Sequence, residues 1–250
     1  MTKFRRIALI TSIVPLAISL AACGGSKTDD GEIAESAAIK SIPAPSGQQW
    51  ADVVSVSEMD GYVTGNPDAP VKLVEYASLT CGHCADFAAE AKGPLHDKYV
   101  ASGVVSYELR NQIHDPFDLI MARLTRCGQV ESFQPLSEQV WLNLNAVIER
   151  AQADRPALEA AMALPEGQRY VALGKATGLI DFFASRGVSR DQAKSCLGDD
   201  ASIQAIAERS EKQSKELDVT GTPSFFINGA KVGTIPWTEL EPMLQRAGAR

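Results

Sequence analysis

From Val71 to Tyr76 the chain reads Val-Lys-Leu-Val-Glu-Tyr, an apolar run that is β-branched at its start and follows Asn66-Pro67 and Pro70. Its length and its flanking breakers predict a buried strand. From Gly82 to about Val100 the period changes. Phe87, Ala88, Ala91, Leu95 and Tyr99 recur three and four residues apart, the spacing of one helix face. Val104 to Arg110 alternates and predicts a second strand, so that strand, helix and strand imply a βαβ crossover. Asp115-Pro116 then opens a long helical region, with Asp suited to the N-cap and Pro to the first helical position. That region runs to about Glu216, with breaks near 153–156, 165–167 and Gly187. Thr222 to Ile227 predicts a strand, Asn228-Gly229 a hairpin turn, Lys231–Gly233 the return strand and Pro236–Arg246 a closing helix.

The N-terminus belongs to a different class. Lys3, Arg5 and Arg6 precede a stretch from Ile7 to Ala22 that is apolar apart from Thr11, Ser12 and Ser19. Sixteen residues at ~1.5 Å rise cover ~24 Å, short of a ~30 Å hydrocarbon core, so residues 1–22 are expected to be a secretory signal and not a spanning helix. Leu20-Ala21-Ala22-Cys23 resembles a bacterial lipobox, which makes Cys23 the expected lipidation site and implies a lipid anchor in the inner or outer membrane. The competing reading is an ordinary small-residue cleavage site with a chance cysteine. Residues 23–49 are rich in Gly, Ser, Ala, Pro and charge and are expected to be a flexible tether. The chain as a whole, 45% hydrophobic and 22% charged over its 250 residues, is globular in composition. Removing Lys3, Arg5 and Arg6 takes the net charge from −7 to about −10, which argues against nucleic acid as a partner.

Besides Cys23 there are four cysteines: Cys81, Cys84, Cys127 and Cys196. In an oxidising compartment they allow three pairings. The two-residue spacing favours Cys81 with Cys84, which leaves Cys127 with Cys196. Zinc would need further ligands at zinc-like spacing, and His83, His96 and His114 do not supply them. No metal and no cofactor is expected.

If the strand ends near Ala77 and the helix opens near Cys81, the first thiol sits at a helix N-terminus. There the free N–H groups and the dipole favour a thiolate. Cys84 lies one turn deeper, and His83 is expected to add a donor to the Cys81 sulfur. Two unequal thiols suit disulfide exchange, in which one attacks and the other resolves. Glu75, Cys81-Gly82-His83-Cys84 and Thr222-Pro223 together resemble the DsbA-like family of periplasmic thiol-disulfide oxidoreductases over roughly residues 50–247. The resemblance extends through Asn66–Tyr76 and through Val219–Gly229.

That resemblance implies an α/β protein, a thioredoxin fold with an inserted all-helical domain. The fold occupies 50–114 and 201–250, and the insert occupies 115–200. It implies that Pro223 is cis and lies beside Cys81 after Thr222, that Glu75 is a buried acid relaying the proton of Cys84, and that Cys127–Cys196 is a structural disulfide in the insert. Lys72 is a candidate partner for Glu75. Gly82 departs from the proline common in the oxidase type, and Gly-His is the dipeptide of disulfide isomerases. The expected potential therefore lies nearer the ~−180 mV of those isomerases than ~−120 mV. The implied partners are reduced exported proteins and a quinone-linked membrane reoxidant, the compartment is the periplasm, and a monomer is expected. A reductase or isomerase, or a tethered metal-binding module using Cys81 and Cys84, are the alternatives. If Cys23 carries the anchor, Cys23→Ser moves the protein from the membrane to the soluble fraction on cell fractionation. Retention in the membrane refutes the lipidation site.

Overall fold

The structure, a computed structural model, describes residues 33–165 and 167–250. The expected signal at 1–22, Cys23 and the start of the tether lie outside the described residues. Among the described residues, no helix is long and apolar enough to cross a membrane.

β1 (Val54–Val56) and β2 (Tyr62–Thr64) form a hairpin, followed by β3 (Val71–Ala77), β4 (Val105–Asn111), β5 (Ser224–Ile227) and β6 (Ala230–Gly233). Their order in the sheet is β1-β2-β4-β3-β5-β6. β3 and β4 are parallel, Val71 opposite Val105 and Ala77 opposite Asn111, and the other pairings are antiparallel. β3 is central and largely buried, as its run of apolar residues requires. Its period-two alternation sends Leu73, Glu75 and Ala77 to one face and Lys72, Val74 and Tyr76 to the other. Lys72 therefore cannot reach Glu75; its ammonium donates to the Pro67 carbonyl at 2.9 Å.

α1 (Gly82–Gly93) covers the Glu75 face and continues as a π-helical segment, Pro94–Val100. Pro94 has no N–H to give the preceding turn, which accounts for the wider winding there. Phe87 of α1 packs against Phe225 of β5 at 4.5 Å between ring centroids and against Trp237 of α10 (Trp237–Arg246) at 6.3 Å. The β5–β6 turn is the expected Asn-Gly pair, with Asn228 at φ 51° and Gly229 at φ 84°.

Between β4 and β5 run α2 (Pro116–Thr125), α3 (Phe133–Leu142), α4 (Leu144–Gln152), α5 (Arg155–Met162), α6 (Arg169–Ala176), α7 (Leu179–Ala184), α8 (Arg190–Leu197) and α9 (Asp200–Glu216). This is the expected thioredoxin fold with a helical insert. The predicted breaks coincide with the α4–α5, α5–α6 and α7–α8 junctions. Asp115 caps α2 by accepting from the Asp118 N–H at 2.8 Å. Cys127 and Cys196 are disulfide-bonded, joining the end of α2 to α8 across 69 residues.

Two features depart from the sequence reading. The β1–β2 hairpin went unpredicted because its strands are three residues long. It is held by Tyr62, stacked on Phe133 of α3 at 3.7 Å, with the Arg126 guanidinium over both rings. The second is a correction: the described part of the expected tether, 33–49, is bound to the body. The N–H groups of Ser36, Ile39 and Ile42 donate to the carbonyls of Arg246, Gly248 and Ser102 at 2.8, 2.9 and 2.8 Å. The Trp50 indole donates to the Ile42 carbonyl at 2.8 Å. Isolated apolar residues and main-chain groups suffice for such a strap, and neither leaves a periodic signal.

Candidate active site

β3 delivers the chain to Cys81, which is the N-cap of α1. Its sulfur accepts from the Cys84 N–H at 3.4 Å, filling one of the free donors of the first turn. The thiol donates to the Thr222 carbonyl at 3.3 Å, and the Thr222–Pro223 peptide is cis. Strand pairing makes this contact: Tyr76 lies opposite Ser224, so the ends of β3 and β5 leave Cys81 and Pro223 side by side. Both Cys81 and Cys84 are free thiols; Cys81 is half-buried and Cys84 fully buried.

The two sulfurs differ as a nucleophile and a resolving thiol must. The Cys81 thiol is lowered to about 5, first by a hydrogen bond from Cys84, with burial opposing, and then by the Thr222 side chain and the main-chain N–H groups of Cys84 and His83. Burial pushes Cys84 far up, assisted by its hydrogen bond to Cys81 and by the nearby Glu75. His83 needs a correction. Its imidazole is 85% exposed and stands 3.9 Å from the Asp86 carboxylate, so it is the main-chain N–H of His83, and not its ring, that serves the Cys81 sulfur. Gly82 is not demanded by packing, since a Cβ there would meet nothing within 4 Å.

Glu75 lies beneath the pair and is fully buried. Burial pushes its carboxyl up to about 8, against the hydrogen bond from Tyr107, whose hydroxyl donates to Oε2 at 2.5 Å. Oε1 has no hydrogen-bond partner among the described residues. A neutral carboxyl near neutral pH, next to a thiol that resists ionising, is equipped to pass a proton in either direction.

Three residues join the site that the sequence does not assign to it: Asp118, His114, which reads there as a capping-region residue, and Trp141, which reads as insert core. Asp118, fully buried in α2, accepts from Ser78 Oγ at 2.7 Å and from the N–H groups of Leu79 and His114 at 2.9 and 3.0 Å. It thereby ties the loop that precedes Cys81 to the loop that opens the insert. Burial still pushes its carboxyl up to about 6. His114 Nε2 stands 3.3 Å from Thr222 Oγ1, which extends the link to the proline loop. The Trp141 indole donates to the Ser78 carbonyl at 3.0 Å. The repeated acid in Asp115-Pro116-Phe117-Asp118 was the available signal, since one Asp suffices for a cap. Among the described residues no group of three or more His, Cys, Asp or Glu is placed to hold a metal ion.

A sequence-family model described as Thioredoxin matches residues 57–246. The chain belongs to the thioredoxin family. Within it, the chain is 28% identical over 186 residues to a putative protein-disulfide oxidoreductase of Rickettsia bellii, covering 74% of this chain and 63% of the relative. It is 30% identical over 172 residues to one of Rickettsia conorii, covering 68% of this chain and 54% of the relative. These alignments thus span only about half to under two thirds of the relatives' length. Among solved structures, a protein-disulfide isomerase from Novosphingobium aromaticivorans superposes with a TM-score of 0.68 at 31% identity, covering 74% of this chain and 96% of that one. Wolbachia pipientis α-DsbA1 shares the fold, with a TM-score of 0.60 at 22% identity over 77% of this chain and 94% of that one.

Two outcomes follow from these geometries. Thiolate absorbance of the reduced protein titrates with a midpoint near 5 for Cys81. A side chain facing water is heavily screened, so His83→Leu moves that midpoint by no more than a few tenths of a unit. A shift of a full unit would return the imidazole to the sulfur. For Glu75, the folded protein holds the proton more tightly than the unfolded chain. The stability this contributes is complete below the unfolded value near 4.5 and is lost as pH rises through about 8. Gln is neutral throughout, so Glu75→Gln gains on the wild type between pH 5 and 9, by roughly 4 kcal/mol at the upper end. Urea unfolding of the two reduced proteins measures the gap, and a pH-independent gap contradicts it.

Proposed function

We propose that this protein is a thiol-disulfide oxidoreductase that introduces disulfides into exported proteins through Cys81 and Cys84. The observation that carries the reading is the inequality of the two sulfurs, one half-exposed and lowered at a helix N-terminus beside cis-Pro223, the other buried and raised. In the oxidised protein a substrate thiolate attacks Cys81 Sγ. The substrate–Cys81 bond forms and the Cys81–Cys84 bond breaks. Cys84 leaves with the electron pair and takes the proton of Glu75. A second substrate thiolate then attacks the substrate sulfur of the mixed disulfide and expels Cys81 as a thiolate. The substrate has lost two electrons and the pair has gained them. Because the reduced form is stabilised by an ionised Cys81, its disulfide is a good oxidant. The main chain around Thr222–Pro223 is a docking edge for an extended substrate. A membrane reoxidant, quinone-linked by the family resemblance, restores the disulfide. The Cys127–Cys196 bridge supports an oxidising compartment.

An isomerase is the second reading, favoured by Gly82-His83 and by the name of the Novosphingobium relative. The potential against glutathione separates the readings: ~−120 mV suits an oxidase, ~−180 mV an isomerase, and ~−270 mV a reductase. The chemistry itself is tested by trapping. With disulfide-bonded peptides, the Cys81 thiolate of Cys84→Ser attacks the peptide disulfide, one peptide sulfur leaves as a thiolate and the mixed disulfide accumulates, visible on non-reducing gels, whereas Cys81→Ser accumulates none and no longer oxidises reduced peptides. Absence of adducts on Cys84→Ser refutes the proposed roles.

A further inference from the structure

Glu75 is held by a neighbour that the exchange chemistry does not itself call for. The β3–β4 register sets Leu73 opposite Tyr107 and Glu75 opposite Leu109, so Tyr107 is one same-face step along β4 from Glu75. Its hydroxyl occupies Glu75 Oε2 at 2.5 Å, both residues are buried, and Oε1 stays without a partner among the described residues. We propose that Tyr107 is a positioning residue for proton transfer between Glu75 and Cys84, pinning Oε2 as an acceptor and leaving Oε1 as the oxygen on which the proton arrives and departs. The proposal rests on the exchange chemistry proposed above.

A phenol donating to a carboxyl stabilises the carboxylate more than the acid. Burial in an apolar layer works the other way and favours the acid. Tyr107 thus keeps the base form of Glu75 accessible, and it does so without adding a charge. The step that needs the base is resolution. In a mixed disulfide on Cys81, the Glu75 carboxylate takes the proton of the Cys84 thiol. The Cys84 sulfur attacks Cys81 Sγ, the bond from Cys81 to the outer sulfur breaks, and that sulfur departs as a thiolate with the electron pair. Cys84 is oxidised and the departing group is reduced. The other titratable groups around Glu75 and Tyr107 are Cys81 and Cys84 of α1, His96, whose ring stands edge-on 5.9 Å from Tyr107, and Glu138 of α3, ion-paired with Lys92. A change from Tyr to Phe leaves all of them in place and removes one hydroxyl.

The test uses glutathione. The reduced protein is loaded on Cys81 with oxidised glutathione at about pH 4, and glutathione release is then timed after jumps to about pH 6–10. Wild-type release rises through the Glu75 titration near 8. In Tyr107→Phe the midpoint moves up by about one unit, and release below it is about tenfold slower, as loss of a hydrogen bond to a charged group implies. In a Glu75→Gln background, adding Tyr107→Phe changes release by less than about twofold, because the residue then has no carboxylate to hold. An unmoved midpoint in Tyr107→Phe, or an undiminished loss in the Glu75→Gln background, overturns the positioning role and leaves the exchange chemistry standing. Wild-type protein that takes up no glutathione on Cys81 overturns the exchange chemistry itself.

Discussion

The Cys81 sulfur and the Thr222 carbonyl stand 3.3 Å apart across 141 residues of chain, and the site exists only where they meet. The meeting requires β3 to lie between β4 and β5 and to end level with the start of β5. A strand in that place is paired along both edges and fully buried on its Leu73–Glu75–Ala77 face, which is why a glutamate within it acquires unusual chemistry. The helical insert is free to be large because it leaves from the end of β4 and returns before β5, without interrupting the three paired strands.

The insert nonetheless does more than fill space. Through Asp118 its first helix grips Ser78 and Leu79, three and two residues before Cys81, and through His114 it reaches Thr222. Trp141 closes on the Ser78 carbonyl from α3. The loop that aims the nucleophile is thus bonded to helices on one side and to the proline loop on the other. A buried carboxylate accepting several hydrogen bonds is costly to disturb, and this favours one loop conformation over the alternatives.

What was legible in the sequence divides along physical lines. The central strand, the α1 helix, the Asn-Gly hairpin and the breaks at Pro156, 165–167 and Gly187 announce themselves through period and through residues with restricted backbones. Cys81-Gly82-His83-Cys84 and Thr222-Pro223 are short, chemically unusual motifs next to predicted strands, and the strand pairing puts them together. The hairpin of β1 and β2 was too short to show a period. The strap at 33–49 is made of main-chain hydrogen bonds, which any composition can supply. Asp118, His114 and Tyr107 join the site through partners distant in sequence, 40, 108 and 32 residues away, and no local pattern records such a pairing. His83 shows the opposite error: adjacency in sequence suggested a ring contact, whereas the first turn of a helix turns that side chain outward.

The two borders of the sheet are formed by β1 and β6, of three and four residues. Each exposes very few unpaired main-chain rungs, and a charged Lys231 stands on the second. A protein proposed to receive extended, unfolded chains is itself at hazard from them, because an open β-edge recruits any strand that drifts past. Borders this short make the sheet a poor template for such recruitment. The main chain beside Cys81, by contrast, lies next to the reactive sulfur, so a proposed substrate that pairs there meets the chemistry at once.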